Sequence, residues 1–238
     1  MIISNTDQRS IILIVDDDPK IRRLLARHMV NEGFEIILAA HGEEALHQAS
    51  LHQPSLIILD LSMPGIGGLA ALERLREWYT DPIIILSATD QEREKIQALD
   101  LGADDYVTKP FSPTELAARV RASIRRAERL SASDNVDIPV VRAGDIEIDL
   151  AAHLVRKNSN EVHLTRTEYD LIQTLAIHAD KVLTHRQLLQ TVWGPEYGQE
   201  TEYLRTFIKQ LRRKLETDPS RPRHISTEPG VGYRLKTT

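Results

Sequence analysis

Four short motifs carry the groups best suited to chemistry in this 238-residue chain: Asp16-Asp17-Asp18, Asp60, Ser87 and Lys109-Pro110-Phe111. Adjacent carboxylates such as Asp16 and Asp17 repel each other at neutral pH unless a cation neutralises them. Mg2+ is a hard ion that takes oxygen ligands from one or two carboxylates, a phosphate and water. Asp60 adds a further carboxylate, which as a nucleophile attacks a phosphoryl donor to form an acyl phosphate. Lys109 would meet a phosphate oxygen as a point charge, and the Ser87 hydroxyl would donate a hydrogen bond to another. The combined chemistry is phosphoryl transfer beside a divalent cation.

These groups act together only if the fold brings them together. Each motif follows a short, mostly aliphatic run, at residues 11–15, 56–59, 83–86 and 105–107. Such runs read as buried parallel strands, and in an open α/β sheet the carboxyl ends of the strands converge on one crevice. A further strand is expected at 34–39. Helices are expected at 19–32, where Asp18 caps and Pro19 opens, and at 43–51, 69–78, 92–101 and 113 to about 126. Five strands alternating with five helices predict a doubly wound α/β domain with a five-stranded parallel sheet. An acidic triplet alone is commonly a solvated loop with a helix cap. Four motifs in order at successive strand ends point to a site.

Composition narrows the class. The chain is 41% hydrophobic and 27% charged, with no cysteine. Disulfides, thiol catalysis and cysteine-bound metals are thereby excluded. No apolar run approaches the roughly 20 residues that cross a bilayer, and residues 1–10 lack a signal-peptide apolar region. A cytoplasmic protein without membrane contact is expected. The net charge of −5 is unevenly spread. Residues 1–128 carry 14 Lys+Arg against 20 Asp+Glu, and the remainder 16 against 15. That asymmetry predicts two domains with different partners.

The boundary is expected in a linker at 129–138, whose centre is small, polar and aperiodic. Beyond it, 145–149 and 161–164 alternate as antiparallel strands do. Helices are expected at 167–179, 185–193 and 202–215, then a β-hairpin over 225–235. Within 203–215, Leu204, Phe207, Ile208, Leu211 and Leu215 form one apolar face. Arg205, Lys209, Arg212 and Arg213 lie among them as a basic face. Such a helix suits a DNA major groove, although a plain amphipathic surface helix has the same pattern.

The motifs resemble a known family. Ile12-Leu13-Ile14-Val15-Asp16-Asp17-Asp18, Leu59-Asp60-Leu61-Ser62-Met63-Pro64-Gly65, Leu86-Ser87-Ala88 and Gly102-Ala103-Asp104-Asp105-Tyr106-Val107-Thr108-Lys109-Pro110-Phe111 resemble the flavodoxin/CheY-like receiver domain of bacterial response regulators. That resemblance implies a receiver at 1–128 with Asp60 as phosphoacceptor. It implies Mg2+ held by Asp16, Asp17, Asp60 and the Ser62 backbone carbonyl. Ser87 and Tyr106 would form a switch pair, Lys109 would contact the phosphate, and the Lys109–Pro110 bond would be cis.

Leu164-Thr165, Glu168, Val182-Leu183-Thr184, Val192-Trp193-Gly194, Leu211-Arg212-Arg213-Lys214-Leu215 and Gly230-Val231-Gly232-Tyr233-Arg234 resemble the α+β winged-helix effector domain of the OmpR/PhoB family. It would span 139–238, with 202–215 as recognition helix and 225–235 as wing. Arg205, Lys209, Arg212, Arg213 and Arg234 would then contact double-stranded promoter DNA at tandem half-sites. The family's other partners would be a sensor histidine kinase, RNA polymerase and a second copy of the chain. Dimerisation on phosphorylation would use Lys95 with Glu115, and Asp104 or Asp105 with Arg119. Within the family, Asp218-Pro219-Ser220-Arg221-Pro222-Arg223-His224 and Thr227-Glu228-Pro229-Gly230 resemble a regulator of a potassium-uptake operon. Many family members carry Arg where this chain has Pro229, so minor-groove contact through that position is not expected here.

Two other classes share part of the pattern. Haloacid-dehalogenase-type phosphohydrolases also use an Asp nucleophile after a buried strand, but carry a second Asp two residues on, where this chain has Ser62. A receiver joined to a protein-binding module would lack the basic helix and wing.

Overall fold

The computed structural model describes residues 9–89, 91–131, 140–195 and 197–237. By contact the chain divides into two compact units. One runs up to Gln91 and takes in Leu101–Ile124; the other takes in Glu92–Asp100 and everything from Arg125 on.

The first unit is built on five parallel strands, β1 (Ile11–Val15), β2 (Glu35–Ala39), β3 (Leu56–Asp60), β4 (Ile83–Ser87) and β5 (Asp105–Thr108). Their order is β2-β1-β3-β4-β5. The chain therefore turns in opposite directions on leaving β1 and β3, and the crevice between their carboxyl ends is where ligands of such sheets bind. The helices between them are α1 (Pro19–Asn31), α2 (Gly42–His52) and α3 (Gly67–Arg76); α5 (Pro113–Ser131) follows β5. Helix α4 (Glu92–Asp100), between β4 and β5 in the chain, falls in the second unit.

The central strands are aliphatic throughout because both faces of the sheet are covered. Ile12, Ile14, Leu56, Ile58, Ile84 and Leu86 pack on one face with Leu25 and Met29 of α1 and Leu116, Ala117, Val120 and Ile124 of α5. Truncating one of these side chains to Ala would cost about 2–5 kcal/mol. Helix α5 extends five residues beyond its expected end near Arg126 and enters the expected linker. Residues 132–138 of that linker lie outside the described residues.

The second unit opens with an antiparallel sheet of β6 (Val140–Ala143), β7 (Ile146–Asp149), β8 (Leu154–Lys157) and β9 (Asn160–Glu161). This corrects the expected pair of strands: β6 and β8 were not foreseen, and residues 162–164 are not strand. Helices α6 (Arg166–Ile177), α7 (His185–Val192) and α8 (Thr201–Leu215) follow. Thr165 with Glu168, and Thr184 with Gln187, form capping boxes that start α6 and α7. A three-stranded sheet then joins β10 (Leu183–Thr184) to the hairpin of β11 (Ile225–Glu228) and β12 (Gly232–Leu235). A Cβ on Gly232 would lie 1.9 Å from the Leu183 carbonyl oxygen, so only glycine permits this approach of β12 to β10. Trp193 anchors the helices, its ring 5.1 Å from Phe207 and 6.4 Å from Tyr203.

Candidate phosphoacceptor site and nucleic-acid interface

Asp16 follows β1 and Asp60 ends β3, so the sheet order itself brings their carboxylates to one crevice. The acidic triplet divides its labour. Asp18 caps α1 by accepting from the Lys20 amide at 2.7 Å. Asp16 is fully buried, and its Oδ1 accepts from the Asp18 amide at 2.8 Å. Asp17 is exposed. Carboxylate oxygens of Asp16, Asp17 and Asp60 all lie within 4.8 Å of one another. Such a cluster of hard oxygen donors is suited to a divalent cation.

Lys109 comes from the end of β5. Its backbone amide donates to the Ser87 carbonyl at 2.7 Å, fixing it beside β4. Its Nζ lies 2.8 Å from Asp16 Oδ2 and 2.9 Å from Asp60 Oδ1. The Lys109–Pro110 bond is cis, as expected. Burial pushes the Asp60 carboxyl above its ordinary range, only partly offset by the Lys109 ammonium, and the Asp16 charge adds to the rise. For Lys109 the balance is reversed: burial favours the neutral amine, but the carboxylates of Asp16 and Asp60 outweigh it and raise its pKa. The two acids thus share one held cation, and Asp60 stands as a desolvated carboxylate next to it.

Ser87 is fully buried, and its hydroxyl oxygen accepts from the Thr89 amide at 3.1 Å. Tyr106 is also buried, with its hydroxyl donating to the Thr89 carbonyl at 2.8 Å. The two expected switch residues therefore meet at Thr89, a residue without a signal in the sequence. The Ser62 amide bonds to the Asp60 carboxylate. No acid stands two residues beyond Asp60, where a dehalogenase-type hydrolase carries one.

Two supports of the site escaped the sequence reading. Arg22, on the first turns of α1, donates through NH1 to the backbone carbonyls of Asp16 and Asp17, at 3.0 Å for the latter. Its place four residues after the cap Asp18 was the available signal, since that spacing points it back at the strand end. Gly68 is the second. A Cβ there would lie 2.3 Å from the Asp60 carbonyl oxygen and 2.5 Å from Leu61 Cα, so α3 starts directly against the phosphoacceptor strand.

Among the expected dimer residues, Asp104 requires correction. It is 3% exposed, and Oδ2 accepts from Arg76 NH2 at 2.5 Å and from the Ile83 amide at 2.8 Å. The carboxylate points into the domain because the Arg76 guanidinium also spans the carbonyls of Gly102, Tyr79 and Asp81 there. Asp105 does pair with Arg119, at 3.1 Å, but within one chain. Arg119 also bonds Glu115 at 2.9 Å, one turn earlier on α5. Lys95 lies on α4.

On α8, Arg205, Lys209 and Arg213 are exposed, while the apolar face is buried as the spacing predicted. Arg212 is not an open surface cation. Its Nε and NH2 donate to the Ile225 carbonyl at 3.0 and 2.7 Å, and NH2 also donates to Thr227 Oγ1 at 2.7 Å. Arg234 likewise is half-buried and paired with Glu228 across the hairpin. Their guanidinium groups are committed because each lies against a backbone or acidic acceptor of the wing. Lys209 is ion-paired with Asp100 at 2.8 Å, so the exposed cations of this set outside such pairs reduce to Arg205 and Arg213 among the described residues.

Comparison with known proteins agrees with both halves of this geometry. The response regulator receiver domain family matches residues 12–121, and the C-terminal domain of transcriptional regulatory proteins matches 159–235. The transcriptional regulatory protein KdpE of Mycobacterium tuberculosis is 45% identical over 227 residues, covering 95% of this chain and 99% of that protein. The chain is a DNA-binding response regulator of the OmpR/PhoB family. The KDP operon transcriptional regulatory protein KdpE of Escherichia coli is also 45% identical, over 224 residues covering 94% of the regulator and 98% of that protein. Among solved structures, a RitR mutant is 28% identical and covers 96% of the regulator and 100% of its own chain, with a TM-score of 0.77. The Thermotoga maritima OmpR/PhoB homolog DrrB is 30% identical, with the same coverage and a TM-score of 0.50. Among the described residues no helix of the regulator is long and apolar enough to cross a membrane.

Proposed function

We propose that the regulator accepts a phosphoryl group on Asp60 from a sensor histidine kinase and then binds promoter DNA as a dimer, controlling a potassium-uptake operon. The observation that carries the phosphoacceptor reading is Lys109 Nζ held between Asp16 and Asp60, at 2.8 and 2.9 Å. The operon assignment rests on the names of the two KdpE relatives.

Asp16, Asp17, Asp60 and the Ser62 carbonyl would hold Mg2+. Bound there, the ion supplies positive charge to the acidic cluster and to the transferring phosphoryl oxygens. The Asp60 carboxylate attacks phosphorus, and the bond from phosphorus to the donor imidazole nitrogen breaks with its electron pair staying on nitrogen. Lys109 exchanges its carboxylate contact for a phosphoryl oxygen, and the Ser87 hydroxyl turns from Thr89 to donate to another. Releasing Thr89 alters the acceptor that Tyr106 uses, which couples the site to the β5 and α5 surface.

The receiver spans 1–128 and the effector 139–238 in this reading, in the cytoplasm, with RNA polymerase as the final partner. Dimerisation uses Lys95, Glu115, Asp105 and Arg119, with Arg119 exchanging its intrachain partners for those of a second copy. A pair at a solvent-exposed residue such as Glu115 contributes only about 0–1 kcal/mol, so its role is to set register. Paired effector domains on tandem half-sites then gain about 10²–10⁴-fold from effective concentration alone.

The test is labelling by a small phosphodonor with and without Mg2+, followed by sedimentation and genome-wide mapping of sites bound by the labelled protein. Mg2+-dependent labelling, a doubled mass and occupancy upstream of potassium-transport genes are expected. Labelling that survives Asp60→Asn overturns the assignment.

A further inference from the structure

The last turn of α8 holds the chain that leads into the wing by both sides of a single residue. Glu216, immediately after α8, is a buried carboxylate, 4% exposed. Its Oε2 accepts from the Arg223 amide at 2.9 Å, and its Oε1 from the amides of His224 at 2.9 Å and Ile225 at 2.7 Å. Three amides of one loop thus converge on one anion, the arrangement in which hydrogen bonds are strongest. Arg212, one turn earlier, takes the opposite side of Ile225 by donating twice to its carbonyl. The Arg212 guanidinium also stands over the Tyr233 ring of β12, 5.9 Å from its centroid. Behind the clamp, Lys157 Nζ of β8 donates to the Glu216 carbonyl at 2.7 Å, tying the helix end to the first sheet.

Glu216 and Arg212 therefore grip Ile225, the first residue of β11, by its N–H and its C=O. Ile225 itself is fully buried, and an apolar packing contact would have sufficed to hold it in the core. Two directional, charge-assisted contacts fix an angle where packing fixes only a distance.

We propose that Glu216 is a positioning residue for DNA recognition, which with Arg212 locks the wing to α8 so that both meet the duplex as one rigid head. It touches no base and no phosphate. Its contribution is pre-organisation: a wing already set in its bound orientation loses less freedom on binding. The inference rests on the reading in which α8 and the wing contact DNA.

Two measurements on the full chain test it. In the free protein, the amides of Arg223, His224 and Ile225 are expected to exchange with deuterium as slowly as those in the last turn of α8. Exchange at open-loop rates overturns the clamp without any variant being made. The second measurement compares the parent with Glu216→Gln on a duplex that the parent has selected from a random pool, and on a scrambled duplex of equal length. The variant is expected to bind the selected duplex about tenfold more weakly, about 1.4 kcal/mol. Its slope of log K against log[salt] stays unchanged because no phosphate contact is lost, and the scrambled duplex is bound within twofold of the parent. Equal affinity for the selected duplex, or equal losses on both duplexes, overturns the proposal. A parent that selects no sequence refutes the DNA reading itself, which is a separate outcome.

Discussion

Lys109 Nζ lies 2.9 Å from Oδ1 of Asp60, so the cation expected to receive a phosphoryl oxygen is held beforehand by the nucleophile. The contact offsets part of the cost of burying the Asp60 carboxylate and places the ammonium at the point of transfer. Asp60→Asn should abolish covalent labelling by a small phosphodonor while leaving the fold intact, since the amide is nearly isosteric but not nucleophilic. Lys109→Gln should slow labelling by about 10²–10³-fold, the usual loss when one pre-placed electrostatic group is removed. Chelation of Mg2+ should stop labelling. In Asp17→Asn, excess Mg2+ should partly restore it. Labelling rates against metal concentration check all four.

Asp104 and Arg76 form a bridge of 2.5 Å whose side chains are 4% and 8% exposed. Removing one partner leaves the other buried and charged, so Asp104→Ala should cost about 3–5 kcal/mol of receiver stability. Urea denaturation of monomeric protein checks this. If Asp104 served a dimer contact, its loss would weaken association and leave the monomer midpoint unchanged.

The hydroxyl of Tyr169 is buried without a hydrogen-bond partner among the described residues, while its ring stacks 5.1 Å from that of His153. An unpaired buried hydroxyl costs about 1–3 kcal/mol, so Tyr169→Phe should stabilise the effector domain at neutral pH or leave it unchanged. Burial, with the charges of Asp170 and Asp149 adding to it, pushes this phenol up to about 12. A raised pKa means that the folded state holds the proton more tightly than the unfolded chain. The parent should therefore lose stability as pH climbs from about 10 to about 12, and Tyr169→Phe should lose less. Thermal melts across that range check the sign.

How much of this was legible depends on whether a feature is local. The strands bearing Asp16, Asp60, Ser87 and Lys109 announce themselves because both faces of the sheet are covered, which makes each run uniformly apolar. The crevice follows from strand order, and Asp16, Asp17, Asp60 and Lys109 come together in it. Strands β8 and β10 were not visible: Leu154–Lys157 shows no alternation, and Leu183–Thr184 is too short to have a period. Asp104 was misread because the two acids of Asp104-Asp105 look alike in sequence. Both are 3% exposed, and only their distant partners separate them: Arg76 and the Ile83 amide hold Asp104, while Arg119 holds Asp105. Arg212 and Glu216 were opaque for the same reason, since their partners lie 7–15 residues away on the wing and the loop before it.

Gly68 offers a test of how tightly the phosphoacceptor is placed. A methyl group there would meet backbone atoms of Asp60 and Leu61 at 2.3 and 2.5 Å, so the strand end or the start of α3 must shift. Overpacking of this kind costs about 1–3 kcal/mol, and a displacement of about 1 Å at a reacting group can cost 10²-fold in rate. Gly68→Ala should therefore fold with reduced stability and label far more slowly than that stability loss accounts for. A variant that labels at the parent rate would show that the approach of α3 does not position Asp60.

Arg205 and Arg213 are exposed on α8, eight residues apart, on the side away from its buried apolar face. A helix of this kind lying in a major groove divides its cations between base edges and phosphates. The two roles have different signatures. Replacing a phosphate contact with Gln should weaken every duplex about equally and flatten the slope of log K against log[salt] by about one unit. Replacing a base reader should cost about 1–3 kcal/mol on the cognate duplex, relax preference at one base pair and leave non-specific binding nearly unchanged. Arg213, in the last turn of α8, is expected to behave as the phosphate contact. Arg205, in the second turn, is expected to read a base. Binding titrations of Arg205→Gln and Arg213→Gln at several salt concentrations, on cognate and singly substituted duplexes, decide the matter. If neither replacement changes affinity, slope or preference, α8 does not face the duplex.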